Sequence, residues 1–290
     1  MGGGFESPLG EQQDLVIKKV ERSDISREMP EEGETEIIMQ RHEAYIRDVE
    51  DENAGSLKEE EAKKSYDLAV EVFGSKFENL SEDERNTVDV LVIASNTQYV
   101  KGRRSFETAT QVLRGTEDVF RKYDIDEKQI LNSGARREGE ENRPTKNTAI
   151  LEPQFIDQSP EFREFLKEKY GDGAMTQKFW QAFEEDWEKE EREKVGAEGP
   201  DDILERYSKF MNVLAKFSEV YHKKHPGRRL IIWPVSHYDT ISPFVKKMVG
   251  MDTKKDYLAV DYGAGISLKI DKSGKMTSKI KGQEFIVEKN

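Results

Sequence analysis

Three runs of consecutive apolar residues stand out along the chain, and each stops abruptly at polar side chains. The first, Glu36-Ile37-Ile38-Met39-Gln40, leads into Arg41-His42. The second, Val88-Asp89-Val90-Leu91-Val92-Ile93-Ala94, leads into Ser95-Asn96-Thr97, and the third, Arg229-Leu230-Ile231-Ile232-Trp233-Pro234-Val235, into Ser236-His237. Such runs, apolar at nearly every position, predict strands buried on both faces, as in a parallel sheet. A shorter extended stretch, Thr148-Ala149-Ile150-Leu151-Glu152, repeats the arrangement.

Between these runs the period changes to that of helices. Ser56-Leu57-Lys58-Glu59 has capping-box form and predicts a helix ending near Gly74. A second helix is predicted from near Arg104 to about Tyr123, and Ser159-Pro160 opens another in the favoured N-cap, N1 order. Longer helices are predicted over 176–194 and 201–224, the last carrying an apolar stripe of Ile203, Tyr207, Phe210, Leu214, Phe217 and Val220. From Tyr257 onward, strands around Gly263-Ala264-Gly265 and Lys272-Ser273-Gly274-Lys275 predict a hairpin near a sheet edge.

Strands alternating with helices predict an α/β fold, a three-layer α/β/α sandwich with a mostly parallel central sheet and a helical insertion at about 157–224. Residues 1–34, rich in Gly, Glu, Ser and Pro, predict a flexible N-terminal tail, leaving 35–290 as the domain. Ligands of such sheets bind at the carboxyl ends of the strands, where Arg41, His42, Ser95, Glu152 and His237 all fall.

Composition narrows the chemistry. Lys and Arg number 46 against 59 Asp and Glu, a net charge of −13 that disfavours general binding to nucleic acid. No cysteine is present, so disulfides, thiolate metal sites and cysteine nucleophiles are excluded, and four histidines carry any imidazole chemistry. No membrane span or signal-peptide layout is seen, which predicts a cytoplasmic protein.

Four separated pieces resemble the histidine phosphatase superfamily, the phosphoglycerate-mutase-like fold, in its branch 1. Ile38-Met39-Gln40-Arg41-His42-Glu43 resembles its strand ending in Arg-His-Gly. Ser95 followed by Arg104-Ser105-Phe106-Glu107-Thr108-Ala109 resembles its Ser-x-x-x-Arg-Ala-x-x-Thr-Ala signature, with a short insertion. Ile150-Leu151-Glu152 resembles its acidic motif, and Val235-Ser236-His237-Tyr238-Asp239-Thr240-Ile241 its strand ending in Ser-His-Gly. The pieces occur in the family's order. The resemblance implies a metal-independent phosphomonoesterase without a cofactor, in which His42 attacks phosphorus and becomes a phosphohistidine. Arg41, Arg104 and His237 would hold the phosphoryl oxygens, and Glu152 would protonate the leaving group. The substrate would be a small phosphate ester or a phosphorylated protein, with neither nucleic acid nor membrane as partner. A phosphoglycerate-type mutase, or a phosphate-binding module that kept the fold without catalysis, shares the same residues.

The chemistry agrees with these roles. A neutral imidazole, with an ordinary pKa of about 6.5, attacks without an activating base, and guanidinium groups hold phosphoryl oxygens bidentately at any working pH. His237, once protonated, would add a third cation. Arg103 competes with Arg104, and Glu138, Glu140, Glu141 and Asp157 with Glu152. His222 and His225 read as dipole partners at a helix C-terminus, and Asp239 and Thr240 as residues that orient His237. The sequence departs from the family in placing Glu43 and Tyr238, rather than glycine, after the two histidines. It leaves open whether Glu43 repels phosphate, bonds a substrate hydroxyl or turns outward.

Overall fold

The computed structural model describes residues 17–48, 50–95, 98, 101–131, 160–171 and 177–287. In chain order they form β1 (Lys19–Val20), β2 (Thr35–Arg41), α1 (Glu59–Glu78), α2 (Glu82–Arg85), β3 (Val88–Ala94), α3 (Arg104–Lys122), α4 (Pro160–Tyr170) and α5 (Gln177–Glu184). They continue as α6 (Lys189–Lys194), α7 (Pro200–Lys224), β4 (Arg229–Ser236), α8 (Tyr238–Met248), β5 (Ala259–Val260), β6 (Gly265–Ile270), β7 (Met276–Ile280) and β8 (Gln283–Val287).

The fold is mixed α/β. Six strands form one sheet in the order β3-β4-β2-β6-β7-β8, while β1 and β5 pair separately. Strand β4 lies parallel to both β3 and β2, but the pairings β2–β6, β6–β7 and β7–β8 are antiparallel. The expected mostly parallel sheet is thus corrected to a mixed one. The C-terminal segment, read as an edge hairpin, supplies three strands of the sheet. Lys281 and Gly282, with φ of 50° and 84°, make the two-residue turn that closes β7 onto β8.

Strands β2, β3 and β4 are buried along nearly their whole length because both their faces are covered. Ile37, Met39, Ile93, Leu230 and Ile232 join one core with Tyr207, Phe210, Met211 and Leu214 of α7 and Ile241, Phe244 and Val245 of α8. Ile38, Val90, Val92, Ile231 and Trp233 join the other with Leu68, Val72, Phe73 and Phe77 of α1 and Val112, Val119 and Phe120 of α3.

Several expectations change. Helix α1 has Lys58 at its N-cap without a side-chain cap, so Ser56 does not start it, and it runs through Gly74 to Glu78. Phe77 is fully buried in the core, and that burial, about 2–3 kcal/mol, outweighs the roughly 1 kcal/mol cost of a helical glycine. The helix expected over 176–194 breaks into α5 and α6. Asp186 takes a φ of 51° there, and its carboxylate accepts both arms of the Arg192 fork at 2.8 and 2.9 Å. The expected insertion also contracts: α7 packs on the sheet, whereas residues of α4 and α5, Ala197 and Ile203 share a small core of their own.

Residues 17–34 are not a flexible tail. Ile17, Val20 and Ile25 are buried, β1 pairs with β5, and the Ser26 N–H donates to Ser267 Oγ at 2.9 Å. Residues 1–16, the stretch 148–152 and therefore Glu152, with its competitors Glu138, Glu140, Glu141 and Asp157, lie outside the described residues. Among the described residues no helix is long and apolar enough to cross a membrane.

Candidate active site

Because β4 is parallel to both β2 and β3, the carboxyl ends of three strands lie side by side. Arg41 pairs in register with Ser236 and Ala94 with Val235. Beyond the register, the His42 N–H donates to Ser236 O at 2.9 Å and the Ser95 N–H to Val235 O at 3.1 Å. Two helices start at this edge: α3 opens on Arg104, and α8 has His237 as its N-cap. Their N-terminal ends carry partial positive charge and favour an anion between them.

The rings of His42 and His237 are each 3% exposed and meet edge to face with centroids 5.1 Å apart. Two contacts set the His42 tautomer. Its Nδ1 lies 2.7 Å from the Glu43 carbonyl oxygen, which only accepts, so Nδ1 carries the proton. Arg104 Nε donates to His42 Nε2 at 2.9 Å, so Nε2 holds the lone pair. Burial first, and then the charges of Arg104, His237 and Arg41, hold the His42 pKa well below the ordinary histidine value. The result is a neutral imidazole with a directed lone pair at neutral pH.

Of the two adjacent arginines, Arg104 is buried against His42 and Arg103 is exposed. Arg103 and Leu57 instead donate their backbone N–H groups to the Glu107 carboxylate, at 3.0 and 2.7 Å, which ties the loop after His42 to the start of α3. Arg41 donates to the Val260 carbonyl, and its Cζ lies 3.9 Å from the centroid of the Tyr262 ring. Ser95 and Ser105 flank His237 Nε2 at 3.3 and 3.2 Å, whereas its Nδ1 has no hydrogen-bond partner among the described residues. Burial, reinforced by Arg104, Arg41 and Arg163, keeps the His237 pKa well below the ordinary value. The condition set in the sequence reading, a protonated His237, is therefore not met at neutral pH, and the ring is neutral.

The two unusual neighbours of the histidines are held by partners other than the two rings, and Tyr238 also lies under Arg41, whose Cζ is 5.2 Å from its ring centroid. Glu43 is fully buried, accepts from Ser65 Oγ at 2.9 Å and pairs with Arg22 at 2.5 Å. Burial pushes its carboxyl above the usual carboxylate range, against the opposing pull of Arg22 and Ser65. The pair fits because residue 263 has no side chain: a Cβ on Gly263, whose φ is 69°, would lie 2.3 Å from Glu43 Oε1 and 2.5 Å from the Arg22 guanidinium. Gly263→Ala is expected to destabilise the protein by about 1–3 kcal/mol from backbone strain alone, and further by displacing Glu43. Chemical denaturation of the variant measures this. Tyr238 donates to the Leu258 carbonyl at 3.0 Å and packs on Trp180 of α5, with centroids 4.7 Å apart.

Sequence reading missed several contributors. Tyr45 and Tyr262 each lie with ring centroids 5.7 Å from that of His42. Arg163 of α4 bears electrostatically on His237, Arg104 and Asp239. None sits in a motif; chain crossings decide their placement. Thr240 does brace the histidine, donating to the His237 carbonyl at 2.8 Å, but Asp239 makes no hydrogen bond to the His237 ring. His222 is not simply a dipole partner, since its Nε2 lies 2.8 Å from Thr35 Oγ1. Among the described residues no group of three or more His, Asp or Glu side chains is placed to hold a metal ion. The cations gathered here suit an anion, beside a nitrogen nucleophile. No family model matches the chain, and no curated protein matches it.

Proposed function

We propose that the protein is a metal-independent phosphomonoesterase acting through a phosphohistidine on His42, with the three-layer α/β/α fold of the histidine phosphatase superfamily that its motifs resemble. The observation that carries this reading is the state of His42: neutral, with Nδ1–H tied to the Glu43 carbonyl and the Nε2 lone pair met by Arg104. A nitrogen so prepared needs no base to attack phosphorus. Arg104 shifts from Nε2 to the phosphoryl oxygens as the ester arrives, joined by Arg41, where guanidinium forks stabilise the charge spread over the equatorial oxygens.

His237 contributes without being charged. When the Ser95 and Ser105 hydroxyls donate to Nε2, Nδ1 carries the proton and donates it to a phosphoryl oxygen. Helices α4–α6 lie beside the site through Trp180 and Arg163 and select among small esters or phosphorylated proteins.

Hydrolysis of phosphate monoesters should survive EDTA and be blocked by vanadate, whose trigonal-bipyramidal form mimics the transferring phosphoryl group. Loss of activity on chelation, restored by a divalent cation, would overturn this reading. Transfer of the phosphoryl group to a second substrate hydroxyl instead of water would move the protein to the mutases.

A further inference from the structure

Asp239 lies in the first turn of α8, two residues beyond His237. Its side chain is completely buried, and apart from its own backbone N–H neither carboxyl oxygen has a hydrogen-bond donor among the described residues. A carboxylate in that position would be costly to bury, and a side chain kept only for structure would be expected to find a donor. The charged groups that face it come from three other elements: Arg104 of α3, Arg41 of β2 and Arg163 of α4. These surround the same histidines.

We propose that Asp239 is the group that gives a proton to the leaving oxygen and recovers it from water. The inference rests on the phosphohistidine reading and replaces Glu152 as the donor. In the first step His42 Nε2 forms the N–P bond, the P–O(ester) bond breaks, and its electron pair goes to the ester oxygen, which takes the Asp239 proton. In the second step water attacks phosphorus and loses a proton to the Asp239 carboxylate. The N–P bond then returns its pair to Nε2. Arg104 covers His42 Nε2 and is also one of the three cations that act on Asp239, so the residue that meets the nucleophile bears on the proton donor as well. Burial pushes the Asp239 carboxyl up to about 7, against the pull of the arginines, which suits a group that must be acid and then base near neutrality.

The test compares glycerol 2-phosphate, a poor leaving group, with 4-nitrophenyl phosphate, whose phenolate departs unprotonated. Asp239→Asn should lower kcat by about 10²–10⁴-fold on the first and less than about tenfold on the second. In the wild-type protein the rate with glycerol 2-phosphate should fall above pH ~7, and Glu152→Gln should keep that limb while Asp239→Asn removes it. Equal losses of Asp239→Asn on both esters, or a limb that disappears in Glu152→Gln, would overturn the proposal. If Asp239→Asn fails to fold, the limb in wild type and Glu152→Gln decides alone. If wild-type turnover does not depend on His42, the phosphohistidine reading itself fails, and the assignment of Asp239 with it.

Discussion

His42→Ala should lose roughly 10⁴–10⁶-fold in kcat, about 5–8 kcal/mol of transition-state stabilisation, while the protein stays folded. The expectation follows from what the side chain does. No other described nucleophile has a lone pair set by two hydrogen bonds and kept unprotonated by burial and two neighbouring guanidinium groups. Rapid quenching of the wild-type protein with labelled substrate should trap a phosphate that is stable in base, labile in acid and located on His42. Label on a serine, for which Ser95 and Ser105 beside His237 are the candidates, would reassign the nucleophile. The pH dependence has a definite sign. Because the His42 pKa is depressed, protonation should not quench attack until well below pH 6.5, so activity on an activated ester should persist into mild acid.

The largest stability effect is expected at Lys246, whose ammonium lies with its partner in a fully enclosed site. Its Nζ is 2.6 Å from Glu184 Oε2, and it also donates to the Thr253 and Asp256 carbonyls at 2.9 and 3.0 Å. Lys246→Met leaves the Glu184 carboxylate buried without its cation, which costs about 3–5 kcal/mol and should lower Tm by about 10 °C. The double variant Lys246→Met/Glu184→Leu should recover most of that loss, because the desolvation penalty disappears with the second charge. Thermal unfolding of the three proteins checks the pattern, and a double variant worse than the single would refute it. Glu184 ends α5 and Lys246 sits on α8, so the pair fastens the small helical unit to the helix that His237 caps. The single variant should therefore show faster hydrogen exchange over α4–α6 before the sheet is affected.

How much of this protein was legible in its sequence depends on the range of the interaction concerned. The sequence by itself determined the three buried strands, the helices α1, α3 and α7, and the placing of Arg41, His42, Ser95 and His237 at strand ends. These follow from local period and from short motifs, and local patterns survive folding because each residue's face is set by its neighbours. It offered Arg104 and Arg103 as competitors, and burial of Arg104 against His42 separated them. Only the tertiary structure decided that β4 lies between β2 and β3, which brings the two histidines together, and that half the sheet is an antiparallel meander. Strand order is a matter of long-range pairing, which no local window contains. The same holds for Ile17, Val20 and Ile25, apolar residues of a mostly polar segment that join cores built from strands and helices far along the chain. It holds for Glu43, whose meaning depends on Arg22 before it and Gly263 far after it. Asp239 is the clearest case. In sequence it is one acidic residue among many, and its chemistry comes from burial with no side-chain hydrogen-bond donor among the described residues, a property of the packed molecule rather than of the chain.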